Sequence, residues 1–170
     1  MKEFAYMAYL SEIVFQIKIA QRAADRLPVD PGNFDQIEVW CSIQSILVAT
    51  GNVSKILWPV SKKSQDRGEK LRELLSIDEN NIIADRSFRD HFEHYDERIE
   101  ALFNSQSSGG YIDLAFNPFK PTKWELPKYY QRAYNQVDRI LTFRDKTLDL
   151  KEVLNALEEI KLKCKPHTLM

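Results

Sequence analysis

Two long stretches of helical periodicity, parted by a proline-rich break, constrain this chain more than any other feature. From about Lys2 to Leu27, Phe4, Met7, Leu10, Ile13, Val14, Ile17 and Ala20 recur at the spacing of one helix face, and Arg22, Asp25 and Arg26 make the far end polar. Pro28-Val-Asp-Pro31-Gly32 then stops the helix. A second helix is predicted from about Phe34 to Trp58, with Asn33 or Asp35 as its cap. Its apolar residues Ile37, Trp40, Cys41, Ile43, Leu47 and Val48 cover a wide arc, which predicts a central position. Gly51 within it serves either close packing or a bend. Pro59 ends it.

The remaining chain reads as shorter elements. Val60 to Gly68, with Lys62, Lys63 and Arg67, is predicted as a basic loop, either solvated or making phosphate contacts near a site. A short helix follows at about 69–76, with Leu71, Leu74 and Leu75 inward. The next helix is predicted over about 83–104, its core row being Phe88, Phe92, Tyr95, Ile99, Leu102 and Phe103. Tyr111 to Pro127 is rich in proline and aromatics. It reads either as a flap held by Phe116, Phe119 and Trp124, or as a stacking surface for bases. Val137 to Phe143 alternates, Arg144-Asp-Lys146 is a turn, and Thr147 to Leu150 returns, so a small β-hairpin is expected. Asp149 with Glu152 forms a capping pair for a last helix over about 150–164, whose end carries Lys161, Lys163 and Lys165. His167 falls in an expected frayed end. The chain of 170 residues thus predicts one mainly α domain over 1–170: a helical bundle of four to five helices (core about 2–104 and 149–164), with an irregular flap and hairpin over about 105–148.

A net charge of −1 excludes a broad basic field, so any nucleic-acid contact must be local. Cys41 and Cys164 form no CxxC pair and sit in apolar helical patterns, so both are expected as buried free thiols. The N-terminal stretch lacks the parts of a signal peptide, and no apolar run is long enough to cross a bilayer. A cytoplasmic protein without membrane contact is therefore expected.

Chemistry concentrates in Arg86-Ser-Phe-Arg89-Asp90-His91-Phe92-Glu93-His94-Tyr95-Asp96-Glu97-Arg98, which holds two of the three histidines. Arginine and histidine five apart on a helix are separated by about 140° and about 7.5 Å along the axis, and a bent arginine side chain reaches a phosphate that the histidine also touches. Histidine moves protons near neutral pH, and arginine neutralises charge developing on a phosphate. The two suffice for RNA cleavage without metal, because the 2′-hydroxyl nucleophile belongs to the substrate. The spacing occurs twice, as Arg86 with His91 and Arg89 with His94. Asp90, four residues before His94, is placed to orient its imidazole. Two other readings use the same residues. One is a salt-bridged surface, with Arg86 to Asp90 and Arg89 to Glu93. The other is a metal held by His91, His94 and Glu97, although no histidine on a second helix completes it.

The block Arg89-Asp90-His91-Phe92-Glu93-His94 resembles the signature of the HEPN superfamily: an arginine, a polar residue, three variable residues and a histidine. The flank Phe92-Glu93-His94-Tyr95-Asp96-Glu97-Arg98 is similar to that of uncharacterised bacterial members. The resemblance implies a bundle of four or five helices and a metal-independent endoribonuclease needing no cofactor. It further implies RNA as substrate, a homodimer with two motif copies lining one cleft, and a role as a toxin or in phage defence, often beside a nucleotidyltransferase-type antitoxin. Non-catalytic members, acting in nucleotide binding or protein interaction, are the other outcome. It assigns Arg89 to the phosphate, His94 to proton transfer and Asp90 to orienting it, with His91 and Arg86 as secondary substrate contacts. The C-terminal hairpin has no counterpart in it.

Overall fold

The proline break separates α1 (Glu3–Ala24) from α2 (Gln36–Leu57), and these two helices make the most extensive contact in the chain. A computed structural model describes residues 3–28, 32, 34–105, 111–118, 131–144 and 146–167. Asp35 is the cap of α2: its Oδ1 accepts from the backbone N–H groups of Ile37 at 2.9 Å and Glu38 at 3.2 Å. Such a cap contributes about 1 kcal/mol.

The expected basic loop is instead the first half of a helix, α3 (Lys62–Leu74). Only Gly68 and Leu71 of it are buried, so its apolar stripe is too narrow to show as periodicity. Lys62 and Lys63 are exposed, but Arg67 is structural. Its guanidinium lies 4.7 Å from the Tyr9 ring centre and donates to the Tyr9 hydroxyl and to the carbonyl of Lys55.

The expected helix over 83–104 is also corrected. A 3-10 turn at Ile82–Ala84, capped by Asn81, precedes α4 (Ser87–Glu93), and α5 (Tyr95–Ser105) follows after a break at His94. Phe88 and Leu102 are buried, whereas Phe103 points outward.

Beyond position 110 the described residues form a four-stranded sheet in the order β1 (Ala115–Phe116), β2 (Arg132–Asn135), β3 (Ile140–Phe143), β4 (Lys146–Asp149). β1 runs parallel to β2, and β2, β3 and β4 form an antiparallel meander. The expected hairpin is β3–β4, with Asp145 of its turn lying outside the described residues. Val137 is no part of it. It is exposed in the β2–β3 turn, where Arg139 has positive φ. Phe116 packs edge-on against Phe34 at 4.9 Å and beside Trp40 at 5.6 Å; Phe119 and Trp124 lie outside the described residues.

β4 passes directly into α6 (Leu150–Cys164), with Asp149 capping Lys151 and Glu152. His167 closes a 3-10 turn at Lys165–His167 rather than fraying. The chain is thus mainly helical, with six α-helices among the described residues instead of four or five, and a small sheet.

The core has two parts. One, built on Ile13, Ile17, Val53, Leu57, Leu71 and Leu157, joins α1, α2, α3 and α6. The other, built on Trp40, Ile43, Phe88, Tyr134, Leu141 and Phe143, holds α4 and the sheet against the first half of α2. Each fully buried side chain of this kind contributes about 1.5–3 kcal/mol. Cys164 belongs to the first part, but Cys41 is exposed, because the apolar arc of α2 is wider than the surface that covers it.

Candidate active site

α4 is only seven residues long and is held by what it packs on. Phe88 enters the core beside α2, and Asp85 secures the start by accepting from the backbone N–H of Ser87 at 2.8 Å. Arg86 occupies the N-cap position without a side-chain cap bond. It lines a small cavity of about 20 Å³ with Thr50, Gly51 and Arg89.

Arg89 lies across α2 at Gly51. A methyl group there would stand 3.1 Å from Arg89 Nε and closer still to its Cδ, so the missing side chain of Gly51 is the groove for the arginine stem. The guanidinium ends in a two-point contact with Glu93. Nε donates to Oε1 at 2.8 Å, and one Nη pairs with Oε2. Nη1 is 3.8 Å from the Asp90 carboxylate. The Arg89 side chain is 12% exposed, while Glu93 is 40% exposed. The Arg89–Glu93 pair of the salt-bridged reading is therefore present.

His94 stands at the junction. Its backbone N–H still donates to the Asp90 carbonyl at 3.0 Å, but its φ of −105° and ψ of 39° leave the helical region and end α4. Its side chain is exposed, with Nδ1 3.5 Å from a Glu97 oxygen. The carboxylate beside the imidazole is thus Glu97, one turn into α5, while that of Asp90 lies toward Arg89. Because the helix breaks at His94, the offset of an unbroken helix does not describe how Arg89 and His94 are related.

His91 lies on the inner side. Its ring stacks on Phe143 of β3, with centres 4.3 Å apart and planes 10° apart, and meets the edge of Phe88. Both ring nitrogens are buried and unpartnered. Burial, reinforced by the charges of Lys146, Arg98 and Arg144 and opposed by Asp90, holds its pKa below the usual histidine value.

The residue after His94 accounts for the break. The Arg132 guanidinium from β2 lies 3.7 Å over the Tyr95 ring and 5.4 Å from that of Phe92. Arg132 also makes a fork with Asp113, at 2.9 Å from Nε and 2.5 Å from Nη2, and the Tyr95 hydroxyl bonds to that of Tyr111 at 2.8 Å. Burial raises the Asp113 carboxyl, but the bonds from Arg132 and Tyr95 outweigh it and leave it below the ordinary aspartate value. Tyr95 is raised by burial and by its bonds to Tyr111 and Asp113. This network fixes the start of α5 against the sheet, and so sets where His94 emerges. No local spacing announces it, since Asp113 and Arg132 are nineteen residues apart. Glu93 and Glu97 were readable, as residues one turn from Arg89 and His94.

No family model matches the chain, and neither does any curated protein or solved structure. Among the described residues no helix is long and apolar enough to cross a membrane, and no group of three histidine, cysteine, aspartate or glutamate residues is arranged to hold a metal ion.

Proposed function

We propose that the chain is a metal-independent endoribonuclease of HEPN type. The observation that supports it most is the pairing of a braced arginine with an exposed histidine at a helix junction. Arg89 is held on Gly51 with its fork closed on the two carboxylate oxygens of Glu93, and the exposed His94 stands at the end of the helix that carries Arg89. The carboxylate of Glu93 takes from Arg89 the two-point geometry that the non-bridging oxygens of a phosphodiester also satisfy. With Glu93 40% exposed and one helical turn from Arg89, the pair contributes about 0.3–0.5 kcal/mol, and a phosphate competes with Glu93 for the same donors.

In the reaction the ribose 2′-oxygen attacks phosphorus, giving its proton to a base, and the bond from phosphorus to the 5′-oxygen breaks as that oxygen receives a proton. A cyclic phosphate and a 5′-hydroxyl end result. His94 serves one of the two transfers, with Glu97 holding its Nδ1 side. Arg89 neutralises the charge gathering on the phosphate. Two such histidines would come from a homodimer whose motifs share a cleft. Asp90 backs Arg89, and Arg86 borders the same cavity. Toxin or phage-defence action, with a nucleotidyltransferase-type antitoxin, belongs to the same proposal.

The test is incubation with RNA in EDTA for the wild type, Arg89→Ala and His94→Ala. Cleavage that persists in EDTA and is lost in both variants supports the reading; cleavage unaffected by both removes this site. A second reading draws on the closed Arg89–Glu93 pair: a non-catalytic nucleotide-binding or protein-interaction module. It predicts no cleavage by the wild type.

A further inference from the structure

The cations of the molecule are not evenly matched with carboxylates. Arg26, Lys70, Arg89, Arg132 and Lys161 each have one, and Arg98, Arg144 and Lys146 are among the many described cations that have none. These three lie together. The Arg144 Nη2 donates to the Arg98 carbonyl at 2.9 Å, and its Nε to Gln131 at 3.1 Å. Arg144 lies 5.4 Å from the centre of the Phe143 ring, whose face stacks on His91, and Lys146 is the cross-strand partner of Phe143. The charges of Lys146, Arg98 and Arg144 all lower the pKa of the His91 imidazole, and the Asp90 carboxylate opposes them.

Arg98 is the unusual member. Its Nε is buried and has no hydrogen-bond partner, although arginine carries donors in a fork shaped for a carboxylate or phosphate. Buried polar groups nearly always find partners, so an unpartnered Arg98 Nε beside two further cations that have no carboxylate points to an absent anion. The location suits one. The Arg98 backbone N–H donates to the His94 carbonyl at 3.3 Å, which places Arg98 one helical turn beyond His94. Exposed carboxylates of α5, Asp96, Glu97 and Glu100, rule out a broad basic track, so recognition here is confined to a single anionic group.

We infer that Arg98, Arg144 and Lys146 form a phosphate subsite that holds an RNA backbone phosphodiester next to the one gripped by Arg89. The inference rests on the proposed ribonuclease reading for its choice of RNA. It adds a second anchoring point, which makes the substrate a strand longer than one linkage and fixes its direction across the helix junction. His91 forms the floor of the subsite. Its ring stacks on Phe143, and burial together with the charges of these three cations holds its pKa below the usual histidine value.

The test measures binding rather than cleavage, using a short single-stranded 2′-O-methyl RNA that lacks the attacking hydroxyl. Fluorescence anisotropy across a range of salt concentrations compares the wild type with Arg98→Gln, Lys146→Gln and Lys146→Arg. Lys62→Gln on α3, outside the cluster, is the control. The inference expects about tenfold weaker binding in each glutamine variant of the cluster. The salt slope should fall by about 0.7 for each cation removed from the phosphate. Lys146→Arg should retain most of the affinity, and Lys62→Gln all of it. Arg98 is half-buried, so Arg98→Gln is checked for folding by circular dichroism; exposed Lys146 gives the independent answer if that variant unfolds. Absence of binding by the folded wild type overturns the inference, as do unchanged affinity in Lys146→Gln or an equal loss in Lys62→Gln. Because the oligonucleotide cannot be cut, failure of the cleavage reading leaves this measurement intact. Dependence on Lys146 and Arg98 in a protein that cleaves nothing would retain the subsite and reject the nuclease.

Discussion

Replacing Gly51 by alanine separates the position of Arg89 from the stability of the fold. In the interior of a helix alanine is favoured over glycine by about 1 kcal/mol. Against this, the new methyl group would occupy the groove through which the Arg89 stem passes, 3.1 Å from Nε and nearer to Cδ. The atoms in the way belong to a flexible side chain, so Arg89 swings out rather than α2 moving. That displacement forfeits the pair with Glu93, about 0.3–0.5 kcal/mol for partners one turn apart, and forces a poorer rotamer at about 0.5–1.5 kcal/mol. The balance is a loss of about 0–1 kcal/mol, or a fall in Tm of at most about 2–4 °C for a chain of this length. Gly68→Ala provides the contrast. There the methyl group would meet the Leu57 carbonyl oxygen at 2.7 Å and the Pro59 ring, neither of which yields, and a loss of about 3 kcal/mol is expected. Thermal and urea denaturation of both variants, with RNA cleavage measured alongside, tests this. Gly51→Ala should remain close to the wild type in stability while losing cleavage as Arg89→Ala does. The reasoning is refuted if Gly51→Ala unfolds as readily as Gly68→Ala, or if it cleaves RNA fully while Arg89→Ala does not.

Asp113→Asn should cost about 3 kcal/mol in urea denaturation, because it leaves Arg132 buried without its counter-charge. Since the Asp113 carboxyl is held below its ordinary value, its contribution is complete above the usual aspartate pKa near 3.9 and is lost as pH falls below it; the variant's pH–stability curve should lack that acid step. His91→Phe should raise stability by about 1 kcal/mol at pH 7, as it keeps the stack on Phe143 and removes two buried, unpartnered nitrogens. The depressed pKa of His91 means that the unfolded chain takes up the proton first. Wild-type stability should therefore decline as pH falls below about 6.5, and this decline should be absent in His91→Phe. Iodoacetamide at pH 8 should label Cys41 and spare Cys164, whose thiol is buried and pushed up to about 11; mass spectrometry of native and unfolded protein reads the difference.

Some of this architecture was legible because it is local. The last helix runs from Leu150 to Cys164 as its periodicity and the Asp149 cap predict, and Asp35 caps α2. What was not legible depends on contacts between distant residues. Nothing near His94 stops a helix: there is no glycine or proline, and the apolar row runs on to Tyr95 and Ile99. The break comes with Arg132, which stacks on Tyr95 from another part of the chain. α3 was hidden because its buried face amounts to Gly68 and Leu71. β1 is two residues long, too short for alternation to show, and pairs in parallel with residues eighteen positions further on. At the site, Arg89, Asp90, His91 and His94 were readable as residue types. Their partners were only half so: Glu93 and Glu97 lie at helical spacing, but the stack of His91 on Phe143 and the seat of Arg89 on Gly51 join elements far apart in the chain.

The passage of β4 into α6 without a linker has a mechanical consequence. Asp149 is at once the last residue of a strand and the cap of a helix, and Leu148 and Leu154 on either side of it each touch both parts of the core. The sheet therefore cannot open while the bundle stays closed, since any rotation of β4 unwinds the first turn of α6. Amide exchange in β3 and β4 should follow the same global unfolding free energy as α6, in a single cooperative unit. The platform under His91 would then be as rigid as the centre of the bundle, and motion at the junction would be confined to α4, α5 and the side chains they carry.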